Sequence, residues 1–269
     1  MKKQLLTVAV CLAVSAFSGA HAQFKVNTKS LGAGVKAAKA ATLSDEEVVQ
    51  HTKEYMTWMD ANNPVAPATH PLAKRLSKLV ANLGTYDGMT MNYKVYLVKD
   101  VNAFACADGS VRVFAGLMEI MNDQELLGIM GHEIGHVKNK DSKDAFRTAL
   151  LSSALKDGVS SQGGVGAALS NSQLGDMTQA LANASFSRTQ ESSADTYGYE
   201  LLKAQKVNPW YMASAFGKLQ QLSQEAGAAK ASKSAQLFSS HPDTEKRMAV
   251  VSERAQKDGF AKPADKPAK

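Results

Sequence analysis

Cysteine is almost missing from this 269-residue chain, which carries only Cys11 and Cys106. Cys11 lies in an apolar run from Leu5 to Phe17, preceded by Lys2 and Lys3 and followed by Ala20-His21-Ala22. A basic start, a short apolar run and small residues at the cut predict a secretory signal over residues 1–22. The run is short for a membrane span, and Cys11 lacks the context of a lipoprotein signal. Removing it leaves Cys106 alone, so an exported chain forms no internal disulfide and depends on packing, with or without metal. Long apolar runs are also missing from the rest of the chain. The expected address is therefore exported, periplasmic first, with secretion or peripheral membrane association as alternatives.

A basic patch on the folded part is lacking too, although the formal net charge is +6. Six Lys and no acid fall before residue 43, and four Lys with two Asp fall in the last thirteen residues. The middle holds 21 basic and 23 acidic residues, which gives nucleic-acid binding no support. The basic ends read as solvated tails, with weak contact to an anionic envelope surface left open. Residues 23–42 are poor in large apolar side chains and read as a flexible leader. A single domain is expected over residues 43–258, followed by a disordered tail over 259–269. No signal of oligomeric state is present.

What the chain does have is helical periodicity with a strand-rich interval. Ser44 with Glu47 predicts a helix start, and Pro71 predicts another. Leu83-Gly84 closes the second helix. Alternation marks strands around Tyr93, Val95 and Leu97, over Asn102 to Cys106, and over Val111 to Phe114. The segment 157–175, with Gly163 to Gly166, reads as a loop or flap. Helices return from Met177 towards Gln205, after Asn208-Pro209 and after His241-Pro242. The fold class is α+β, mostly helical, with a small sheet ahead of the helix that opens at Asn122 and Glu125.

That helix carries His132-Glu133-Ile134-Gly135-His136. Positions i and i+4 share a helix face, so His132 and His136 can offer two imidazoles to one metal ion, with Glu133 beside them as a base. The best third ligand is Glu191, and Asp195 shares its face, where one carboxylate can bind metal while the other orients a ligand histidine. His51 and His70 have no partner at ligand spacing and read as surface or capping residues. Asn102-Ala103-Phe104-Ala105 is a candidate free edge on which an extended peptide could lie, or an ordinary core strand.

Together these residues resemble metallopeptidase family forty-eight, the HtpX-like, Oma-like and CAAX prenyl protease type 1 group of glutamate-liganded zincins. The resemblance rests on Asn102 to Ala105, on the His132 to His136 motif, on Ser187-Arg188 with Glu191 and Ala194-Asp195, and on His241-Pro242 with Arg247. It implies a zincin-like metalloprotease domain with one zinc ion on His132, His136 and Glu191. It also implies Glu133 as general base and later acid, Asp195 behind a ligand, and polypeptide substrates. His241 and Arg247 are placed near the site, as oxyanion stabilisers or guards of the open metal position. Alternatively, His241 caps the last helix and Arg247 pairs with Asp195 or Glu191. The transmembrane helices of membrane members are lacking, so a small exported quality-control peptidase fits better than a prenyl protease. An exported chaperone-like peptide binder and a metal hydrolase of another class are the alternatives.

Overall fold

The computed structural model describes residues 43–86, 88–156, 169–228 and 241–264. The expected signal, the leader and the Gly163–Gly166 flap lie outside the described residues.

Helices begin where a short polar side chain precedes Glu or Gln by three residues. Helix α1 (Asp45–Asn62) starts with Ser44 accepting from Glu47 N at 3.2 Å while Glu47 accepts from Ser44 N at 2.8 Å. Two of the helix's orphan donors are thereby satisfied, worth about 1 kcal/mol. Helix α2 (Pro71–Val80) is capped by His70, whose Nδ1 accepts from Leu72 N at 3.2 Å. His51 is not on the surface. It is buried within α1 with Nδ1 at 3.2 Å from Glu54.

A short hairpin, β1 (Thr85–Tyr86) with β2 (Met89–Thr90), precedes the main sheet of β3 (Asn92–Tyr96), β4 (Ala103–Ala105) and β5 (Ser110–Phe114). The strand order is β3-β5-β4, with β5 parallel to β3 and antiparallel to β4. Gly109, at φ +86°, makes the turn between β4 and β5, a conformation that favours glycine. The remaining helices are α3 (Ala115–Ile120), α4 (Asp123–Lys138), α5 (Asp141–Lys156), α6 (Asn171–Ala182), α7 (Arg188–Ala204), α8 (Trp210–Ala228) and α9 (Thr244–Lys257). Helix α6 takes residues from Asn171 that read as loop by composition, because Ser170 and Gln173 form another capping box.

Alternation along the strands gives the sheet two apolar faces. Val95, Ala103, Ala105, Val111 and Val113 join the core with α4, α7 and α8. Tyr96, Phe104 and Phe114 join the other core, with Tyr55 of α1, Phe146 of α5 and Met177 of α6. Arg112 points to this second side and is pinned there. Its Nε and Nη2 bind Asp60 Oδ1 and Oδ2 at 2.8 and 2.9 Å, and Lys94 and Tyr96 donate to the same carboxylate, each at 2.7 Å.

Helices α4 and α7 cross at backbone contact. A methyl group on Gly135 would lie 2.9 Å from Ala194 Cα and O, and one on Gly131 would lie 3.0 Å from Gly198 Cα. Only hydrogen at these positions lets the axes come this close. Past residue 258, where a tail is expected, two main-chain carbonyls are held by side chains. Trp210 Nε1 donates to Phe260 O at 2.8 Å and Asn208 Nδ2 to Ala261 O at 2.7 Å, so the first residues past 258 are docked.

Gly135→Ala should cost about 1–3 kcal/mol in urea unfolding by overpacking this crossing. It should also lower metal content, because the crossing sets the spacing of α4 from α7; unchanged values for both would show that the crossing relaxes freely. Burial raises the Asp60 carboxyl, but the hydrogen bonds from Arg112, Lys94 and Tyr96 outweigh it and hold the pKa at about 2. The folded value lies below the ordinary 3.8, so this stabilisation is complete above 3.8 and is lost as the pH falls towards 2. Asp60→Asn should cost about 3 kcal/mol at neutral pH by leaving Arg112 buried without its partner. That gap from wild type should close as the solution is acidified through the same interval.

Candidate metal centre

Helix α4 is capped by Asn122 and Glu125, and its first turn is tied down by Lys218 of α8, which donates to Glu125 at 2.6 Å. Two turns further on, His132 and His136 project from one face, with their Nε2 atoms 3.1 Å apart. The close crossing brings Glu191, in the first turn of α7, against them. Glu191 Oε1 lies 3.6 Å from His136 Nε2, and Oε2 lies 3.6 Å from His132 Nε2. His241 enters from the segment ahead of α9, with Nδ1 at 3.1 Å from His132 Nε2 and 2.9 Å from Glu191 Oε1. One ligand atom from each of these four residues lies within 4.8 Å of the others, and all four residues are buried.

These residues fit a metal ion. A carboxylate stands 2.9 Å from the far nitrogen of each helix histidine, Asp195 Oδ1 at His132 Nδ1 and Asp141 Oδ2 at His136 Nδ1. Hydrogens held on the Nδ1 atoms leave two bare Nε2 lone pairs facing one another and a carboxylate oxygen, a set that a shared cation satisfies. Four buried carboxylates, Glu133, Asp141, Glu191 and Asp195, surround the histidines, against the single guanidinium of Arg247. A divalent ion offsets most of that excess. Burial, followed by the nearby Arg247 charge, lowers His132 well below the ordinary histidine range and keeps it neutral as a ligand must be.

Glu133 faces the other way. Its Oε1 is buried without a hydrogen-bond partner, 3.6 Å from His241 Nε2, and burial raises its carboxyl above the ordinary range. It opens onto a cleft of about 410 Å³ that Asn102, Ala103, Phe104 and Ala105 also line, with Tyr55, Phe114, Phe146 and Phe186 forming aromatic walls. Strand β4 ends the sheet on this side, so no strand pairs with its outer edge among the described residues. Of the two readings of Asn102 to Ala105, the geometry has an edge strand beside a cleft.

Arg247 does not face this cleft. Its Nη1 lies 2.6 Å from Glu191 Oε2, and its Nε and Nη2 donate to Asp195 at 2.8 and 2.6 Å. It partners Asp195 and Glu191, and its Nη2 also lies 3.2 Å from His132 Nδ1 and 3.4 Å from His132 Nε2. Asp141 and Phe186 escape the sequence reading. Phe186 stacks on the His136 ring with centroids 3.9 Å apart. An acid five residues past His136 at a helix start, and an apolar residue before the Ser187 cap, are the available signals.

Known proteins agree with this architecture. The sequence model described as peptidase family M48 matches residues 69–255. Metalloprotease LoiP of Escherichia coli (strain K12) is 38% identical over 231 residues, 86% of this chain and 89% of the relative. Metalloprotease YcaL of the same organism is 35% identical over 256 residues, 94% of this chain and 98% of the relative. A match over more than half the length, on a mostly helical α+β domain with a buried His and Glu cluster, places the chain in peptidase family M48 as a metalloprotease.

Proposed function

We propose that this metalloprotease is a zinc endopeptidase that cuts exported, unfolded or damaged polypeptides. The observation that carries the reading is the unpartnered, buried Glu133 Oε1 at the cleft wall, one residue from His132 and three from His136. His132, His136 and Glu191 would hold the ion, since two imidazoles and a carboxylate within tetrahedral reach suit zinc. Zinc bound there would polarise the scissile carbonyl and acidify water. Glu133 takes the proton from the attacking water and passes it to the leaving amine, a role its raised carboxyl suits. Asp195 and Arg247 hold the ligands in place.

Substrate lies along β4, where main-chain hydrogen bonds bind an extended chain without demanding a sequence. The aromatic walls of the cleft suit apolar side chains that folded proteins hide, which supports unfolded substrates. The exported address rests on the N-terminal pattern, and no helix among the described residues is long and apolar enough to cross a membrane.

His241 guards the metal. Its Nδ1 lies where a fourth ligand would, so the resting enzyme is latent and substrate must displace the ring. Casein digestion should stop with chelator, and Glu133→Gln should lower it by about 10²–10⁴-fold with zinc retained. Retained turnover in that variant would remove Glu133 from the reaction. His241→Ala should raise peptide hydrolysis by about tenfold or more, the reciprocal of the open fraction. A fall would instead make His241 a direct contributor to the chemistry.

A further inference from the structure

The cap of α7 reaches the metal site through two side chains. Ser187 N–H donates to Gln190 Oε1 at 2.9 Å, while Ser187 Oγ accepts from Gln190 N at 3.3 Å. A main-chain N–H can only donate, so the amide oxygen of Gln190 faces the cap and its nitrogen faces away. That nitrogen donates to Asp141 Oδ1 at 3.0 Å. The second oxygen, Oδ2, stands 2.9 Å from His136 Nδ1. A carboxylate only accepts, so Nδ1 carries the hydrogen, and Nε2 is the ring nitrogen that faces His132 and Glu191. The relay is sheltered: Asp141 and His136 are both buried, and Phe186 covers the imidazole face.

From this geometry we propose that Gln190 and Asp141 are positioning residues that fix the His136 tautomer, so that the capping box of the helix bearing Glu191 also prepares a ligand on α4. The proposal rests on the assignment of His136 as a metal ligand. It makes Asp141 the group that sets the tautomer and Gln190 the group that orients Asp141, along three hydrogen bonds that start in the helix cap. A purely structural role makes a different claim, that Asp141 only starts α5 and Gln190 only caps α7.

A swap of polarity separates the two. In Asp141→Asn, Gln190 still donates to the new amide's oxygen, so the new amide's nitrogen faces His136 and donates to Nδ1. The hydrogen then moves to Nε2 and blocks the metal. Adding Gln190→Glu turns that amide over, because the introduced carboxylate keeps the cap with one oxygen and accepts from the amide nitrogen with the other. The amide oxygen again faces His136 Nδ1. Zinc affinity, read by competition with a chromogenic chelator, should fall about 10–100-fold in Asp141→Asn and recover most of that in the double variant. Gln190→Glu alone should bind no tighter than wild type. Nitrogen-15 ring shifts of His136 in the metal-free proteins should show Nδ1–H in wild type and the double variant, and Nε2–H in Asp141→Asn. Equal affinity in all four proteins, a double variant no better than Asp141→Asn, or Nε2–H in wild type would overturn the relay. A wild type that binds no zinc would overturn the ligand assignment instead, and the ring shifts would still decide the tautomer.

Discussion

The backbone contact between α4 and α7 is the constraint on which the site depends. The candidate metal-binding residues His132, His136 and Glu191 come from two helices separated by residues 139–187, and their spacing holds only while the helix axes stay close. Gly131, Gly135, Ala194 and Gly198 supply that approach by having almost no side chain to hold it off. Each glycine costs about 1 kcal/mol of helix propensity relative to Ala. The capping box at Asn122 and Glu125, the Lys218 tie and the burial of nearly every residue from Leu126 to His136 offset that cost. Gly128 continues the same pattern one turn earlier, against Met212 of α8. The helix is thus a weak helix in isolation and a well-held one in the fold.

Burial then does chemical work at both ends of the site. Charged groups placed out of water must find partners: Arg247 stands 2.6 Å from Glu191 Oε2, whereas Glu133 Oε1 has only His241 Nε2 at 3.6 Å. Asp195 and Glu191 share Arg247, Asp141 holds His136 and Gln190, and the remaining excess of negative charge suits a dication. The same low-dielectric setting lowers His132 and raises Glu133, while the carboxylates around His136 raise it against burial. The adjacent cleft is walled by aromatic side chains and opens onto Glu133.

Local signals in the chain are readable because their physics is local. The caps at Ser44, Asn122 and Ser187 each follow from residues three apart, and the histidine face follows from helical pitch. Strands β3, β4 and β5 lie within one residue of their alternating stretches, and β4 is an edge. Long-range facts are not readable. The glycines of α4 look like poor helix formers until α7 is in place, and Asp141 looks like an ordinary helix start until Gln190 arrives from 49 residues away. His51 reads as a surface residue because nothing nearby in sequence says that α1 will bury that face. The residues 259–264 read as tail by composition, yet the carbonyls of Phe260 and Ala261 meet donors from Trp210 and Asn208. The hairpin β1–β2 and helix α3 are too short to carry a period.

The fourth residue of the cluster, His241, differs from the others in how it is held. His132, His136 and Glu191 stand on helices packed through the core, so moving any of them means moving a helix. His241 stands on a segment instead, two residues before Asp243, which adopts the left-handed conformation at φ 60° and leaves the start of α9 without a side-chain cap. The segment is fastened by Arg188 to Asp243 at 2.6 Å, but the Arg188 side chain is 79% exposed. An ion pair so exposed contributes at most about 1 kcal/mol. Withdrawing His241 breaks its contacts with Glu191 and His132 and the bond from Thr244 Oγ1 to its carbonyl, while His132, His136 and Glu191 stay on their helices.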